Sequence, residues 1–266
     1  MVDRTFIFDC EVFAHDWLFV FKELATGQYT IIHNDNDAVL AFMEQDPFLG
    51  GFNNKHYDNH ILKAVMIGAD PETVKQVNDL IILEEVDGWD IPLLRDYRVF
   101  FNSFDLMDDC QDGISLKGIE AHLGIPIEET EVDFNIDRRL TAAELEQTIK
   151  YCKYDVDATE ILYKLRKNYL QNKATLGRVR GLDERKAIYM TNAKLTSVYL
   201  QAVKPEKPWT DERAYVCRVG EEKIPLTRRY TTKKKALHKA AEMQGLEYKQ
   251  YMRIRRRDGA DNENSI

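Results

Sequence analysis

The sequence predicts an α/β protein: a mixed β-sheet flanked by helices, followed by a small basic C-terminal appendage. Short apolar runs with the two-residue alternation of strands open the chain. Segments with a 3.6-residue apolar period follow and indicate amphipathic helices. Lysine and arginine then crowd the C-terminal end. We therefore expect a first domain over residues 1–180 and a helical, basic appendage over residues 181–266.

The first half of the chain alternates between the two patterns. A turn signal at Thr26-Gly27-Gln28 predicts a hairpin, so the opening strands should be antiparallel. The expected elements are, in order, strands at 5–12, 17–21 and 29–32, a helix at 35–45, a strand at 48–52, helices at 58–68 and 71–85, and a strand at 98–107.

The second half is mainly helical by the same criteria. A helix is expected over 114–123, ending at Gly124. Thr141 and Glu144 form a capping-box pattern that should begin a helix running to about Leu170. The remaining expected elements are a helix at 185–203, a short hairpin at 214–225, a basic helix at 231–245 and a disordered tail at 258–266.

The charge of the chain is unevenly distributed. The net charge is −8, yet residues 220–257 hold 12 Lys/Arg against 4 Asp/Glu. This pattern predicts a basic appendage on an acidic body. Three interpretations of the appendage stay open: a clamp on a nucleic-acid backbone, a docking surface for another protein, or a solvated charged helix.

Several classes of protein are disfavoured. No apolar run approaches the ~18 residues of a membrane span, and the N-terminal residues lead into a strand without a signal-peptide pattern. We therefore expect a soluble, cytoplasmic protein without a membrane partner. The cysteines show no Cys-x-x-Cys pair, so zinc and a disulfide framework are not expected. Cys10 and Cys152 are expected to be small buried residues.

Two acids stand one residue apart in the first strand. Asp9 and Glu11 alternate with Cys10, so both should point to the same face. Burying two like charges together is costly unless a cation neutralises them. Carboxylate oxygens suit a hard divalent cation.

Two further pairs carry the same spacing of four residues. Asn54 and Asp58 begin the helix after the fourth strand, and Tyr151 and Asp155 share one face of the long late helix. Neighbouring Asp157 should lie on a different side of that helix, as a surface acid.

The order of these motifs resembles the DEDD superfamily of 3′→5′ exonucleases, and the tyrosine resembles its DEDDy (DnaQ-like) branch. The resemblance implies a ribonuclease H-like fold and hydrolysis of a phosphodiester bond with two Mg²⁺ or Mn²⁺ ions. The implied metal ligands are the four acids, and the implied catalytic set adds a tyrosine that orients the attacking water: Asp9, Glu11, Asp58, Asp155 and Tyr151.

Within the superfamily, the chain is most similar to the exonuclease domain of protein-primed family B DNA polymerases of phages. Ser115-Leu116-Lys117-Gly118-Ile119 resembles a family element that contacts a single-stranded end. The resemblance implies six substrate-binding residues: Val12, Phe13, Asn54, Tyr57, Ser115 and Leu116.

The chain departs from that family at two points. The family's lysine ahead of the third motif has no counterpart in residues 128–134, and Lys117, Arg138 and Lys153 are its possible substitutes. No polymerase metal-binding motif follows residue 200.

We therefore expect a free-standing, metal-dependent exonuclease that releases nucleotides from the 3′ end of single-stranded DNA. It would be phage-encoded, would act in the host cytoplasm, and would serve as the proofreading part of a split polymerase with a separate polymerase subunit. Two alternatives stay open: a non-catalytic docking or regulatory module, and an exonuclease for short RNA or nucleotide signals.

Overall fold

The computed structural model describes residues 4–97, 99–110, 113–128, 130–202, 215–219, 222–226, 241–242, 245–247 and 250. Contacts divide the chain into two units, Met1–Ala202 and Val203–Ile266. The two helices that follow residue 180 belong to the first unit. The expected boundary between domains at residue 180 stays a prediction.

The second unit contains an antiparallel hairpin in its described part. Its strands are β6 (Tyr215–Val219) and β7 (Glu222–Leu226), which confirms the hairpin expected at 214–225. The basic helix expected at 231–245, most of the basic segment 220–257 and the tail at 258–266 lie outside the described residues.

The first unit is an α/β fold. Its strands are β1 (Thr5–Val12), β2 (Trp17–Glu23), β3 (Tyr29–His33), β4 (Phe48–Gly51) and β5 (Ser103–Asp105). Its helices are α1 (Asn36–Met43), α2 (Asp58–Met66), α3 (Pro71–Ile82), α4 (Pro92–Asp96), α5 (Leu116–Leu123), α6 (Ala142–Val179), α7 (Glu184–Tyr189) and α8 (Asn192–Tyr199), with a short 3-10 helix at Gly88–Asp90.

The five strands form one mixed sheet in the order β3-β2-β1-β4-β5. The first three strands are antiparallel neighbours, whereas β4 runs parallel to both β1 and β5. β4 pairs only with Thr5, Ile7 and the residue between them, so the second half of β1 extends beyond β4. The expected mixed sheet flanked by helices is confirmed.

The two faces of β1 belong to two different cores. Its even-numbered residues, such as Phe8 and Cys10, pack with buried residues of α1, α2 and α3. Ile7 packs with Cys152 and Val156 of α6 on the other face. This alternation is the two-residue period of a strand buried on both sides. It directs the odd-numbered positions of β1, including both acids, toward α6.

Helix α6 begins where the capping box predicts. The Thr141 hydroxyl accepts from the Glu144 amide, and the Glu144 carboxylate accepts from the Thr141 amide. The helix ends at Val179, about two turns beyond the expected Leu170. Lys22 of β2 anchors it to the sheet through ion pairs of 2.6 Å to Asp157 and 2.7 Å to Glu160.

Two expectations about secondary structure were wrong in detail, and two short elements were missed. The strand expected at 98–107 is limited to β5, because only that part reaches β4. The single helix expected at 185–203 is two helices, since Met190 is extended and Thr191 caps α8 through a bond from the Lys194 amide. The 3-10 helix and α4 were not predicted. Among the described helices, none is long and apolar enough to cross a membrane.

Candidate active site

The first two acids of the site lie on the strand face that meets α6. Asp9 is partly exposed and Glu11 is 9% exposed. Burial raises the pKa of Asp9 well above its ordinary value, and the charges of Asp58 and Glu11 raise it further. Burial likewise raises the pKa of Glu11, with the charges of Asp155 and Asp58 acting in the same direction. Both shifts identify a cluster of buried like charges that lacks sufficient positive charge.

Asp58 reaches the cluster through the loop after β4. At Gly51 the loop passes so close to Asn54 that a side chain would not fit: a Cβ on Gly51 would lie 2.8 Å from the Asn54 Cβ. Asn53 then adopts a positive φ of 63°, which asparagine tolerates better than most residues. The loop delivers Asp58 to the first residue of α2, beside the part of β1 that β4 leaves uncovered.

Asp105, at the end of β5, fixes the shape of this loop. Its carboxylate accepts the backbone amides of Asn53 at 2.8 Å and Lys55 at 3.0 Å. It also accepts the Met107 amide at 2.8 Å. Asp105 is therefore a positioning residue for Asp58, and its role was not predicted, since nothing in the sequence relates it to a loop some fifty residues earlier.

Asp58 is the most deeply buried of the four acids, at 4% exposure. Burial raises its pKa to about 7, although the Cys10 thiol donates to its Oδ1 at 3.1 Å and opposes the shift. The fourth acid, Asp155, lies on α6, and its Oδ1 accepts from Lys117 Nζ at 2.5 Å.

Tyr151 lies one turn before Asp155 on the same face of α6, as the spacing predicts. Burial raises the pKa of its phenol, and the charges of Asp155 and Glu11 and a hydrogen bond to Asp155 raise it further. The phenol therefore stays protonated at neutral pH. It can donate a hydrogen bond within the cluster, but it is a poor base.

Asp9, Glu11 and Cys152 each place one potential ligand atom within 4.8 Å of the other two, so this group can hold a metal ion. The Cys152 thiol donates to Asp9 Oδ2 at 3.5 Å. Burial and the Asp9 charge raise the pKa of this thiol. A protonated thiol is a donor rather than a metal ligand, so the carboxylate oxygens are the better ligands at this site. The expectation that both cysteines are small buried residues is confirmed for Cys10 and Cys152.

Two predicted substrate contacts are turned away from solvent. Val12 is 5% exposed and Phe13 is 1% exposed. The Phe13 ring is stacked on Phe134, with 5.1 Å between the ring centroids. Phe13 cannot contact a bound molecule in this conformation without displacement of the segment that holds Phe134. Val12 belongs to the core that contains Phe8 and Cys10.

The other predicted contacts vary in accessibility. Asn54 is fully buried, and its amide donates to Asn59 Oδ1 at 3.1 Å. Its own Oδ1 has no hydrogen-bond partner among the described residues. The Tyr57 hydroxyl donates to Asn78 at 2.7 Å, so the tyrosine is tied to α3.

Ser115 and Leu116 begin α5. Ser115 is exposed and caps the helix through a bond of 3.0 Å from the Gly118 amide, while Leu116 is partly buried. The structure thus gives Ser115 a capping role, and a substrate contact stays a prediction for both residues.

The three candidates to replace the family's lysine lie in different surroundings. Lys117 reaches the carboxylate cluster through Asp155 and lies over the Tyr151 ring, 5.2 Å from its centroid. Arg138 instead forms a bidentate pair with Glu144, with both bonds at 2.8 Å. Lys153 lies over the Tyr29 ring, 5.0 Å from its centroid.

A comparison with protein-family models and a search of curated proteins each found no match to this chain.

Proposed function

We propose that this chain is a metal-dependent exonuclease of the DEDDy type that removes nucleotides from the 3′ end of single-stranded DNA. One observation carries the proposal. Four carboxylates from β1, α2 and α6 converge with a tyrosine, and their charges raise the pKa values of Asp9, Glu11 and Tyr151. Such an arrangement destabilises the metal-free fold, so its presence supports a functional role.

The topology supports a ribonuclease H-like assignment within the α/β class. Asp9 and Glu11 lie on β1, the central strand of the sheet. The sheet is antiparallel on one side of this strand and parallel on the other. Helix α6 crosses the face that carries them and contributes the last acid and the tyrosine.

The donor set fits hard divalent cations. Asp9, Glu11, Asp58 and Asp155 offer only oxygen atoms, which Mg²⁺ and Mn²⁺ prefer. Two such ions, when bound, supply an activated water and stabilise the charge that develops on the phosphate and the leaving 3′ oxygen. We propose that these four residues hold both ions.

Tyr151 has a distinct role in this proposal. Because its pKa is raised, the phenol remains a hydrogen-bond donor across the neutral range. The phenol orients the attacking water through a hydrogen bond, and it does not remove the proton of that water. Its place one helical turn before Asp155 keeps the phenol and that carboxylate on one side of the cleft.

The substrate contacts are proposed from the resemblance and ranked by accessibility. Exposed Ser115 and partly buried Leu116 can meet a strand directly. Asn54 is fully buried and its Oδ1 has no hydrogen-bond partner among the described residues, while the Tyr57 hydroxyl donates to Asn78. Phe13 becomes available only when Phe134 leaves its ring, and Val12 is buried in the core with Phe8 and Cys10.

The wider biological setting is also a proposal. The resemblance to phage polymerase domains, without polymerase motifs after residue 200, supports a proofreading subunit that works beside a separate polymerase in the host cytoplasm. The basic segment 220–257 is the candidate surface for that partner or for the DNA backbone.

The test is a cleavage assay with 5′-labelled single-stranded DNA and RNA of the same sequence, in EDTA, Mg²⁺ or Mn²⁺. We expect a ladder of products shortened one nucleotide at a time from the 3′ end of DNA, in either metal, and none in EDTA. A strand whose terminal linkage is a phosphorothioate should be shortened much more slowly.

Each other outcome has a defined meaning. Preferential shortening of RNA would mean that the substrate is RNA, while the proposed hydrolysis of the phosphodiester bond would stand. Internal cleavage, or a ladder that persists in EDTA, contradicts the two-metal exonuclease. Absence of cleavage of both strands in all metals contradicts the proposed activity and leaves a docking module as the better explanation.

A further inference from the structure

Lys117 holds a singular position among the charged groups of the site. Within the described part of the chain, no other lysine or arginine forms an ion pair with the four carboxylates. Its ammonium contacts Asp155 at 2.5 Å and lies over the Tyr151 and Tyr154 rings, 5.2 and 5.4 Å from their centroids. The contact occupies an oxygen of Asp155, which the proposed function assigns to a metal ion.

Glu120 lies one turn further along α5 and is 1% exposed. Neither of its carboxylate oxygens has a hydrogen-bond partner among the described residues. The nearest cation is Lys117, whose Nζ lies 3.6 Å from Glu120 Oε2. A buried carboxylate without hydrogen bonds is costly, so this position requires an explanation.

The position of Lys117 explains the buried carboxylate of Glu120. An ammonium has three donors, and Lys117 is 30% exposed, so its head has freedom to move. A charge-assisted bond to Glu120 requires a distance of ~2.8 Å. A shift of about 1 Å away from Asp155 would therefore convert the 3.6 Å contact into a hydrogen bond.

We propose that Lys117 is a built-in counter-ion that leaves Asp155 for Glu120 when a divalent cation binds the carboxylates. The proposal rests on the proposed metal site. Lys117 limits repulsion in the metal-free protein, and Glu120 is a positioning residue that receives the ammonium. The exchange keeps the lysine inside the cleft while it frees Oδ1 of Asp155.

The proposed exchange predicts opposite effects of replacing Lys117 and Glu120. Lys117→Gln removes a competitor for Asp155, so Mn²⁺ should bind about tenfold more tightly. Glu120→Gln removes the negative charge that stabilises the ammonium at its second position, so Mn²⁺ should bind about tenfold more weakly. In the Lys117→Gln background, Glu120→Gln should change the affinity by less than about twofold.

The experiment measures Mn²⁺ binding to the full chain by calorimetry and by the electron paramagnetic resonance signal of free Mn²⁺, without substrate. Lys117→Arg keeps the cation and should bind Mn²⁺ close to the wild-type level. Lys153→Gln removes the same charge from a lysine at the Tyr29 ring and should leave the affinity unchanged. Circular dichroism establishes that each variant is folded.

Three results would overturn the exchange. Unchanged or weaker Mn²⁺ binding by folded Lys117→Gln would show that the lysine does not compete with the metal. An equal effect of Glu120→Gln in both backgrounds would show that Glu120 acts without Lys117. If the wild type bound no Mn²⁺, or if Asp155→Asn bound it equally well, the proposed metal site would fail and the exchange with it.

Discussion

Helix α6 brings acids to the sheet at two places, and the two places are electrostatically opposite. Asp157 and Glu160 meet Lys22 of β2, and Lys164 adds a second ion pair of 2.7 Å to Glu160. Burial alone would raise the pKa of Glu160, but the bonds from Lys164 and Lys22 outweigh it and the pKa is lowered. We call these residues the anchor cluster.

The carboxylate cluster combines Asp155 of the same helix, Asp9 and Glu11 of the same sheet, and Asp58 from the start of α2. There the pKa values of Asp9, Glu11 and Asp58 are raised, and Lys117 is the single ion-pair partner among the described residues. The anchor cluster stabilises the native state of the chain as it stands. The carboxylate cluster has its charges arranged for a cation that must come from solution.

The largest difference should appear when one acid of each cluster is replaced by its amide. Asp9→Asn or Asp155→Asn should lower the cleavage rate at least about 10³-fold, which is ~4 kcal/mol of barrier stabilisation. Asp157→Asn on the same helix should retain most of the activity. Product release from single-stranded DNA measures the effect, and comparable losses in all three variants would show that the comparison between the clusters is mistaken.

Tyr151→Phe should lower the rate by about 10²-fold, or roughly 2–3 kcal/mol. Mn²⁺ affinity should survive, because the phenol is not among the proposed ligands. Tyr154→Phe, on the same helix but bonded to the Pro126 carbonyl, is the matched control and should keep most of the rate. Loss of Mn²⁺ binding in folded Tyr151→Phe would indicate a structural tyrosine.

The anchor cluster should affect the free energy of unfolding but not the cleavage rate. Lys22→Met deprives Asp157 and Glu160 of their shared partner, and we expect a loss of about 2 kcal/mol in the free energy of unfolding. Urea denaturation measures that loss, with Lys153→Met as the control. The cleavage rate per folded molecule should stay the same, and a rate that falls with stability would link the anchor cluster to catalysis.

The last effect concerns pH. Because the folded pKa of Asp58 is raised to about 7, the folded state binds a proton that the unfolded state releases near pH 4. The metal-free protein should therefore lose stability as pH rises from about 4 to about 7. Melting curves in EDTA should show the decline, Mn²⁺ should flatten it, and Asp58→Asn should reduce it, because Asp9 and Glu11 retain raised pKa values. A metal-free protein that gains stability through this window would contradict the buried acid cluster.

The parts of the site that follow from local periodicity could be predicted from the sequence. Two-residue alternation places Asp9 and Glu11 on one face of β1, and a spacing of four places Tyr151 beside Asp155. The bond between Lys117 and Asp155 joins residues 38 positions apart, and it depends on how α5 packs on α6. No local pattern encodes that packing.

The same distinction explains the substrate contacts. A position next to the acid pair suggests that Phe13 is accessible, but the ring is covered by Phe134 from a distant loop.

The fold class could be predicted because strands and helices have strong local signals. The break between α7 and α8 was missed, although Thr191 offers the capping residue that marks it.

The short pairing of β4 with β1 sets different tolerances for insertions across the molecule. Each residue added to the paired stretch would advance the end of β4 by ~3.3 Å along β1. Two added residues would move Asp58 by ~7 Å along β1, away from Cys10, whose thiol donates to its Oδ1 at 3.1 Å. The turn at Thr26-Gly27 carries no residue of the cluster, so the chain can change length there freely. Variants that retain the cluster should therefore keep the length of β4 constant while the β2–β3 turn varies.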